Sequence, residues 1–235
     1  TREFTIGEKK PGPNVAFAVD LSGSMSDDLA QVKQASQTIV NGIYGEGAQR
    51  AARVGIVTFN DTGSIQTPLP FTEEKDEALQ AINSLQIRGG GLEPMNGALL
   101  EAMQGGIGEW TEDATTNRIV VFTDEPAADP GLRGQVLEQV QNLNANIEER
   151  SLGVQSLSAT AGLTENTTQD STDEPKLPVQ IVPVQVGNSF RARQDLQELA
   201  EGTGGKLFNA QDADEAVETI LEAVTSPTAG DDNVD

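Results

Sequence analysis

The sequence predicts an α/β domain with a doubly wound, mostly parallel six-stranded sheet, one antiparallel edge strand and helices on both faces. Short apolar runs of strand length alternate with longer stretches whose apolar residues recur at helical spacing. This alternation is typical of parallel strands joined by crossover helices. One early pair of apolar runs is joined only by the turn Asn60-Asp61-Thr62-Gly63, which indicates a hairpin and therefore one antiparallel strand.

The predicted strands are near-continuous apolar runs, a pattern typical of strands covered on both faces. Pro68 indicates that the hairpin's return strand lies at an edge of the sheet, because proline cannot donate a ladder hydrogen bond. The last run is short and follows a glycine cluster, which favours a second edge position. The predicted strands are 14–19, 53–59, 64–69, 118–123, 179–186 and 206–208.

The predicted helices carry apolar residues three and four positions apart. Pro94 suits the first residue of its helix, where proline's missing N–H group has no hydrogen bond to lose. The predicted helices are 27–43, 73–85, 94–103, 132–149, a short one around 196–200, and 213–224.

The domain organisation follows from shifts in composition along the chain. Residues 1–13 are polar and read as an N-terminal approach segment, and 14–225 form one domain. Within it, 151–177 are rich in Ser, Thr, Gln, Asp and Glu and predict a polar acidic insertion loop. This loop is either a solvated insertion or a contact element. Residues 226–235 are predicted to be an acidic disordered tail.

The charge of the chain excludes one class of partner. Its 37 acidic and 15 basic residues give a net charge of −22, which repels the phosphate backbone of nucleic acids. So acidic a surface resembles those of halophilic proteins, although self-repulsion that keeps a protein soluble is the alternative explanation. No apolar run approaches the roughly 20 residues that cross a bilayer, so no membrane span is expected within this chain.

Two absent residue types restrict the chemistry further. The chain has no Cys, which excludes disulfides, thiolate nucleophiles and Cys-based zinc sites. It has no His, which excludes Ser-His-Asp triads, imidazole ligands and the usual general base. Carboxylate, hydroxyl, amide, Lys and Arg chemistry remains.

The strongest chemical signal is the stretch in which Asp20, Ser22 and Ser24 follow the first predicted strand. Three side-chain oxygens on a tight loop at a strand's carboxyl end suit a hard cation such as Mg²⁺. Asp124 ends the strand 118–123 in the same way. Ligands of doubly wound sheets bind at such strand ends, where the strand order reverses. We therefore expect Asp20 and Asp124 to share one cation if their strands are neighbours.

This first loop resembles the metal-ion-dependent adhesion site of von Willebrand factor type A (VWA) domains, whose pattern is Asp-x-Ser-x-Ser. The matching stretch is Val19-Asp20-Leu21-Ser22-Gly23-Ser24-Met25. Thr123-Asp124 resembles the third loop of that site, and Gly89-Gly90-Gly91 before Pro94 resembles the second. The order of elements over 14–225 resembles the family too, which implies the Rossmann-like VWA fold.

The resemblance implies a non-enzymatic binding module for adhesion, assembly or scaffolding. It would present Mg²⁺, or Mn²⁺ or Ca²⁺, to an acidic side chain of a partner protein. Family members occur outside cells and in the cytosol; we expect an exported or cell-surface protein, with a cytoplasmic one as the alternative. The implied metal ligands are Asp20, Ser22, Ser24 and Asp124, and the expected rim of the contact surface is Leu92, Met95, Glu125 and Asp129.

The second loop departs from the family pattern. Where family members carry Thr or sometimes Asp after the glycines, this chain has Leu92, which cannot ligate a metal, followed by Glu93. Glu93 replaces the missing ligand, or a water does, or the site is weakened. Glu93 could equally be an ordinary first-turn acid of the following helix. We hypothesise that Glu93 raises the affinity of the site for the metal. It would also lower the affinity of the metal-loaded site for a carboxylate of the partner.

Two other functions compete with the binding module. Asp20 and Asp124 with Mg²⁺ could serve aspartyl-phosphate chemistry, yet Ser22 stands where a further Asp is usual and no Lys follows a later strand convincingly. The expectation is therefore that the protein is not an enzyme. The other alternative is a structural or assembly domain whose metal site is degenerate, as Leu92 suggests.

Overall fold

The computed structural model describes residues 10–45, 50–111, 114–158, 178–209 and 221. The strands are β1 (Lys10–Asp20), β2 (Arg50–Phe59), β3 (Ile65–Thr72), β4 (Asn117–Thr123), β5 (Val179–Gln185) and β6 (Phe208–Asn209). The helices are α1 (Leu29–Ile43), α2 (Lys75–Ser84), α3 (Met95–Met103), α4 (Arg133–Ser158) and α5 (Phe190–Thr203).

The six strands form one sheet in the order β3-β2-β1-β4-β5-β6. All neighbours pair in parallel except β2 and β3, so β3 is the antiparallel edge strand. The chain builds one half of the sheet outward from β1 and the other half outward from β4. The strand order therefore reverses between β1 and β4, and the predicted fold class is confirmed.

The side chains of β1 show why both faces of the sheet need helices. Val15, Phe17 and Val19 point to a core shared with α1 and α2, and each is at most 1% exposed. Ala16 and Ala18 point to the opposite core, shared with α3, α4 and α5. A strand that is apolar at every position is buried only when both faces are covered.

β1 starts earlier than predicted. Lys10 and Pro11 already pair with β2, and a register shift separates them from Asn14. The approach segment thus contributes its last residues, 10–13, to the sheet. A Cβ on Gly12 would lie 2.6 Å from the Ala52 nitrogen, so this close approach of the two strands requires glycine. The approach segment's residues 1–9 lie outside the described residues.

The helix boundaries differ from the predicted ones in two places. α4 continues to Ser158, so 151–158 of the predicted insertion loop are helical, and 159–177 lie outside the described residues. α5 begins at Phe190, well before the predicted short helix. The predicted last helix lies outside the described residues except for Leu221, which is helical, and so does the predicted tail. No described helix is both long and apolar enough to span a membrane.

Candidate metal centre

The candidate ligands lie where the strand order reverses. Asp20 is the last residue of β1 and Thr123 the last of β4, and the two strands pair in parallel through Val19 and Phe122. Their carboxyl ends therefore meet at one edge of the sheet, as a doubly wound fold requires for a ligand site. Asp124 follows directly on β4.

Hydrogen bonds link the four candidate ligands to one another. The Ser22 backbone N–H donates to Asp20 Oδ1 over 2.8 Å. The Ser22 and Ser24 hydroxyl oxygens are 2.9 Å apart, and Ser24 Oγ donates to Asp124 Oδ1 over 2.9 Å. The structure thus brings together the four residues that the sequence predicted as metal ligands.

Thr123 is a site residue that the sequence analysis named only as part of the third loop, Thr123-Asp124, without a role of its own. Its hydroxyl donates to Asp20 Oδ2 over 2.7 Å, so both carboxylate oxygens of Asp20 are held. The Glu125 backbone N–H donates back to Thr123 Oγ1 over 3.3 Å, which ties this contact to the loop carrying Asp124. The available signal was a hydroxyl residue ending an otherwise apolar strand.

The site places a fully buried carboxylate, Asp20, close to a half-buried one, Asp124. Asp20 is 0% exposed, and burial raises its pKa to about 6, although hydrogen bonds from Ser22 and Thr123 oppose the shift and the charge of Asp124 adds to it. Burial also raises the pKa of Asp124, which the Ser24 hydroxyl partly offsets. Ionised carboxylates at such a place are stabilised by a cation.

The second loop packs against the first through its glycines. The Asn60 side-chain amide donates to the Gly89 carbonyl over 3.0 Å. Gly90 has φ +95°, and a Cβ there would lie 2.2 Å from the Asn60 carbonyl oxygen, so only glycine fits. A Cβ on Gly23 would be 3.9 Å from the Gly90 carbonyl oxygen, which places this loop directly beside the Ser22–Ser24 turn.

Glu93 is a buried acid whose carboxylate lacks a full set of partners. It is 2% exposed, and its Oε1 has no hydrogen-bond partner among the described residues. Its pKa is raised to about 7, mainly by burial and to a lesser extent by the charges of Asp20, Glu125 and Asp124. Leu92, beside it, is 58% exposed and offers no ligand atom.

The predicted rim residues have different surroundings. Met95 is fully buried, so the prediction that it lines the contact surface is wrong: the first residue of α3 faces the sheet. The Asp129 carboxylate accepts the Asn96 and Gly97 backbone N–H groups over 3.0 and 2.7 Å, so it caps α3 instead of standing free for a partner. Leu92 is exposed, and Glu125 is half-buried beside Asp124.

The donor set fits a hard divalent cation. Two carboxylates and two hydroxyls supply oxygen atoms only, the ligands that Mg²⁺, Mn²⁺ and Ca²⁺ prefer. In the described part of the chain, no three acidic side chains cluster closely enough to hold an ion by themselves. The hydroxyls of Ser22 and Ser24 complement the two carboxylates in the candidate donor set.

The fold recurs in solved structures of low sequence identity. The conserved hypothetical protein BatB from Bacteroides thetaiotaomicron has a TM-score of 0.56 at 15% identity, covering 90% of this chain and 98% of that one. An aerotolerance-related membrane protein from Bacteroides fragilis has a TM-score of 0.56 at 18% identity, covering 91% and 98%. At these identities the likeness shows the fold alone.

A third similar structure carries a metal. Proximal thread matrix protein 1 from the mussel byssus, with zinc in its MIDAS motif, has a TM-score of 0.60 at 13% identity. It covers 92% of this chain, which in turn spans about half of that protein, 48%. No curated protein sequence matches the chain.

The family is shown by the sequence as a whole. The family model of the von Willebrand factor type A domain matches residues 14–223, nearly the entire chain. The sheet order and the loops at the switch point agree with that assignment. The protein belongs to the von Willebrand factor type A domain family.

Proposed function

We propose that this VWA domain is a metal-dependent protein-binding module. Asp20, Ser22, Ser24 and Asp124 hold a divalent cation, and an acidic side chain of the partner protein completes its coordination. The observation that carries the proposal is the connected set of hydrogen bonds that links Asp20, Ser22, Ser24 and Asp124 at the sheet's switch point. When bound, the cation supplies a positive charge with a free coordination position.

The electrostatics of the site support metal binding. Burial raises the pKa of both Asp20 and Asp124, so their ionised forms are under-stabilised without a cation. The zinc-occupied MIDAS motif of the mussel protein lends support from a protein of similar fold. We propose Mg²⁺ as the cation, with Mn²⁺ and Ca²⁺ as alternatives, because the donors are all oxygen.

Glu93 sets the strength of the partner contact in this proposal. The carboxylates of Asp20 and Asp124 already match the charge of a divalent cation. A third ionised carboxylate nearby makes the site negative overall, and the buried Oε1 of Glu93 has no described hydrogen-bond partner to neutralise it. A partner carboxylate then gains less from binding the metal.

Binding is favoured over catalysis by the residues around the site. Hydrogen bonds from Ser22, Thr123 and Ser24 fix the orientation of the Asp20 and Asp124 carboxylates, which suits metal ligation, and the chain contains no His or Cys to act as base or nucleophile. We therefore propose that the protein is not an enzyme. The second candidate is an assembly domain with a degenerate metal site, favoured by the exposed Leu92 at a ligand position.

The proposal also includes the location of the protein and the kind of organism it comes from. An exported or cell-surface protein with an adhesive role fits a chain without cysteine. The net charge of −22 fits a halophilic source.

Isothermal calorimetry tests metal binding directly. Protein stripped with EDTA is titrated with Mg²⁺, Mn²⁺ and Ca²⁺, in the wild type and in Asp124→Asn. Asp76→Asn is the matched control, because it removes one exposed carboxylate on α2. We expect saturable binding in the wild type and the control, and its loss in Asp124→Asn. Equal binding by all three proteins contradicts the site.

Capture of partners tests the interaction. Immobilised protein is incubated with extract of the source organism in Mg²⁺ or in EDTA, and bound proteins are identified by mass spectrometry. We expect a partner that EDTA releases and that Asp124→Asn does not retain. Absence of metal binding, together with a partner that is retained equally in Mg²⁺ and in EDTA, favours the assembly domain.

A further inference from the structure

Two exposed apolar side chains stand out at the surface. Among the described residues, Leu92 and Phe190 are the large hydrophobic residues that lie exposed, at 58% and 78%. Exposed aromatic and aliphatic side chains beside a ligand site indicate a contact surface.

Phe190 begins α5 shortly after the chain passes Asp124 at Gly187. The Val186 N–H donates to the Thr123 carbonyl over 2.9 Å, and a Cβ on Gly187 would lie 3.8 Å from the Asp124 Cβ. The chain therefore passes Asp124 immediately before α5 begins at Phe190. The Ala127 N–H donates to Asp195 Oδ2 over 2.9 Å, which fastens α5 to the loop that carries Asp124.

Leu92 is attached to the same loop by the next residue. The Glu93 carbonyl accepts the Ala128 N–H over 2.9 Å, and the Glu93 carboxylate interacts electrostatically with Asp20 and Asp124. Leu92, in the second loop, and Phe190, the first residue of α5, thus each lie within three residues along the chain of a contact with the segment following β4. Each is an exposed apolar side chain close in sequence to a loop of the candidate metal centre.

Two arginines accompany Phe190. Arg191 and Arg193 are exposed, and no ion pair or side-chain hydrogen bond joins either guanidinium to another described residue. Cationic side chains in the first turns of a helix oppose its dipole, so helix stability does not explain them. In a chain of net charge −22, two neighbouring arginines without acidic partners form a local positive patch.

We propose that the partner's binding segment is acidic and apolar, and that it docks on Leu92, Phe190, Arg191 and Arg193, which we term the docking patch. The proposal rests on the proposed function: one carboxylate of the segment reaches the metal. An apolar side chain beside it contacts Leu92 or Phe190. A further carboxylate pairs with Arg191 or Arg193, a geometry for which the guanidinium fork is suited.

The net charge of the domain does not oppose this assignment. Charges separated by more than about 8 Å are largely screened at physiological ionic strength. The partner segment therefore responds to the metal and to the nearby arginines more than to distant acids. A basic segment would be attracted to the domain as a whole but repelled at Arg191 and Arg193.

A peptide library can show which residue types the docking patch prefers, and it does not require an identified partner. The probe is a positional-scanning library of short peptides with a fixed central Asp, and each flanking position is defined in turn. Binding of labelled protein is measured in Mg²⁺ and in EDTA. We expect Mg²⁺-dependent binding that favours aromatic, aliphatic and acidic residues next to the Asp.

Variants assign each preference to its side chain. Phe190→Ser is expected to weaken binding of the apolar peptides about tenfold. The double variant Arg191→Ala/Arg193→Ala is expected to remove the acidic preference. Lys206→Glu is the control, because it lowers the net charge by the same amount as the double variant. Lys206 is exposed and follows Gly205, which packs on Ile181. Ile181 lies in the first half of β5, away from the carboxyl ends of the strands where the candidate metal centre is. Calorimetry should show unchanged Mg²⁺ affinity in all variants.

The possible outcomes distinguish failure of the docking patch from failure of the proposed metal-dependent binding function. Peptide binding that ignores EDTA, or no binding at all, overturns the proposed function and the docking patch together. Mg²⁺-dependent binding with no flanking preference, or with a preference for Lys and Arg, overturns the docking patch alone. An acidic preference that Lys206→Glu abolishes as fully as the arginine double variant also overturns it, because net charge then explains the effect.

Discussion

The Ser24 hydroxyl donates a hydrogen bond of 2.9 Å to Asp124 Oδ1, although 100 residues separate the two in sequence. The bond joins the loop after β1 to the loop after β4 at the place where the strand order reverses. The candidate ligands are therefore assembled by the protein itself. A site arranged in this way loses little entropy when a cation binds.

Thr123→Val tests whether orientation of Asp20 matters for metal binding. Valine keeps the shape of threonine but cannot donate to Asp20 Oδ2, a bond of 2.7 Å in the wild type. We expect Mg²⁺ affinity to fall about tenfold, as is common when a partner that orients a ligand is removed. Calorimetry measures it, with Thr38→Val on α1 as the control. Unchanged affinity would show that Asp20 needs no such partner.

Metal affinity should depend on pH. Burial raises the pKa of Asp20 to about 6, so a proton occupies this carboxylate in the metal-free protein below that pH. Protons and metal then compete, and we expect Mg²⁺ binding about tenfold weaker at pH 5 than at pH 7. Titrations at several pH values in one buffer system measure this. Constant affinity across this range would exclude Asp20 as a ligand.

Asp20→Asn should stabilise the metal-free protein at neutral pH. The raised pKa means that the folded state binds the Asp20 proton more tightly than the unfolded state, so stability is lost as pH rises from about 4 to 6. Asparagine carries no charge and retains an acceptor for the Ser22 N–H. We expect up to about 3 kcal/mol of added stability at pH 7 and almost none at pH 4.

Urea unfolding in EDTA at both pH values measures this difference. Mg²⁺ should raise the stability of the wild type and leave Asp20→Asn unchanged, because the variant has lost a ligand charge. A variant that is less stable than the wild type at pH 7 would show that the hydrogen bonds of Asp20 outweigh the cost of burying its charge.

Substitutions of Gly90 and Gly91 test whether the close approach of the second loop to Asn60 matters for stability and metal binding. A Cβ at Gly90 would meet the Asn60 carbonyl oxygen at 2.2 Å with φ at +95°, whereas a Cβ at Gly91 has nothing within 4 Å. We expect Gly90→Ala to lower the free energy of unfolding by about 2 kcal/mol and to weaken Mg²⁺ binding. Gly91→Ala, the matched control, should do neither. Equal effects of the two substitutions would mean that loop entropy, not the close approach, is responsible.

Glu93→Gln removes the third acidic charge while keeping the size of the side chain. We expect Mg²⁺ affinity to fall about tenfold, since Glu93 interacts electrostatically with Asp20 and Asp124. Binding of Asp-containing peptides to the metal-loaded protein should become tighter in the variant. Glu93→Ala distinguishes charge from packing, and unchanged metal affinity in both variants would remove Glu93 from the site.

Most of the fold could be predicted because its pattern is local. β4 is buried at all seven positions, and its apolar run was visible in the sequence. Pro68 correctly indicated the edge strand β3. The start of β1 was missed because Lys10 and Pro11 have poor strand propensity, and it is pairing with β2 that holds them in the sheet.

The candidate site was predictable only in part. Asp20, Ser22 and Ser24 are close in sequence, so their shared chemistry could be recognised there. Met95 was assigned to the rim because it follows the second loop, yet the direction of α3 turns its side chain into the core. Sequence spacing carries no information on such a direction.

Local patterning and composition determined the α/β class, the acidic surface and the residues able to bind a hard cation. Those properties depend on neighbours along the chain, so they can be inferred before folding. The meeting of Thr123 with Asp20, the capping of α3 by Asp129 and the attachment of α5 to the loop after β4 through Asp195 arose from long-range packing. Contacts between distant segments depend on strand order and helix direction, which are properties of the assembled sheet.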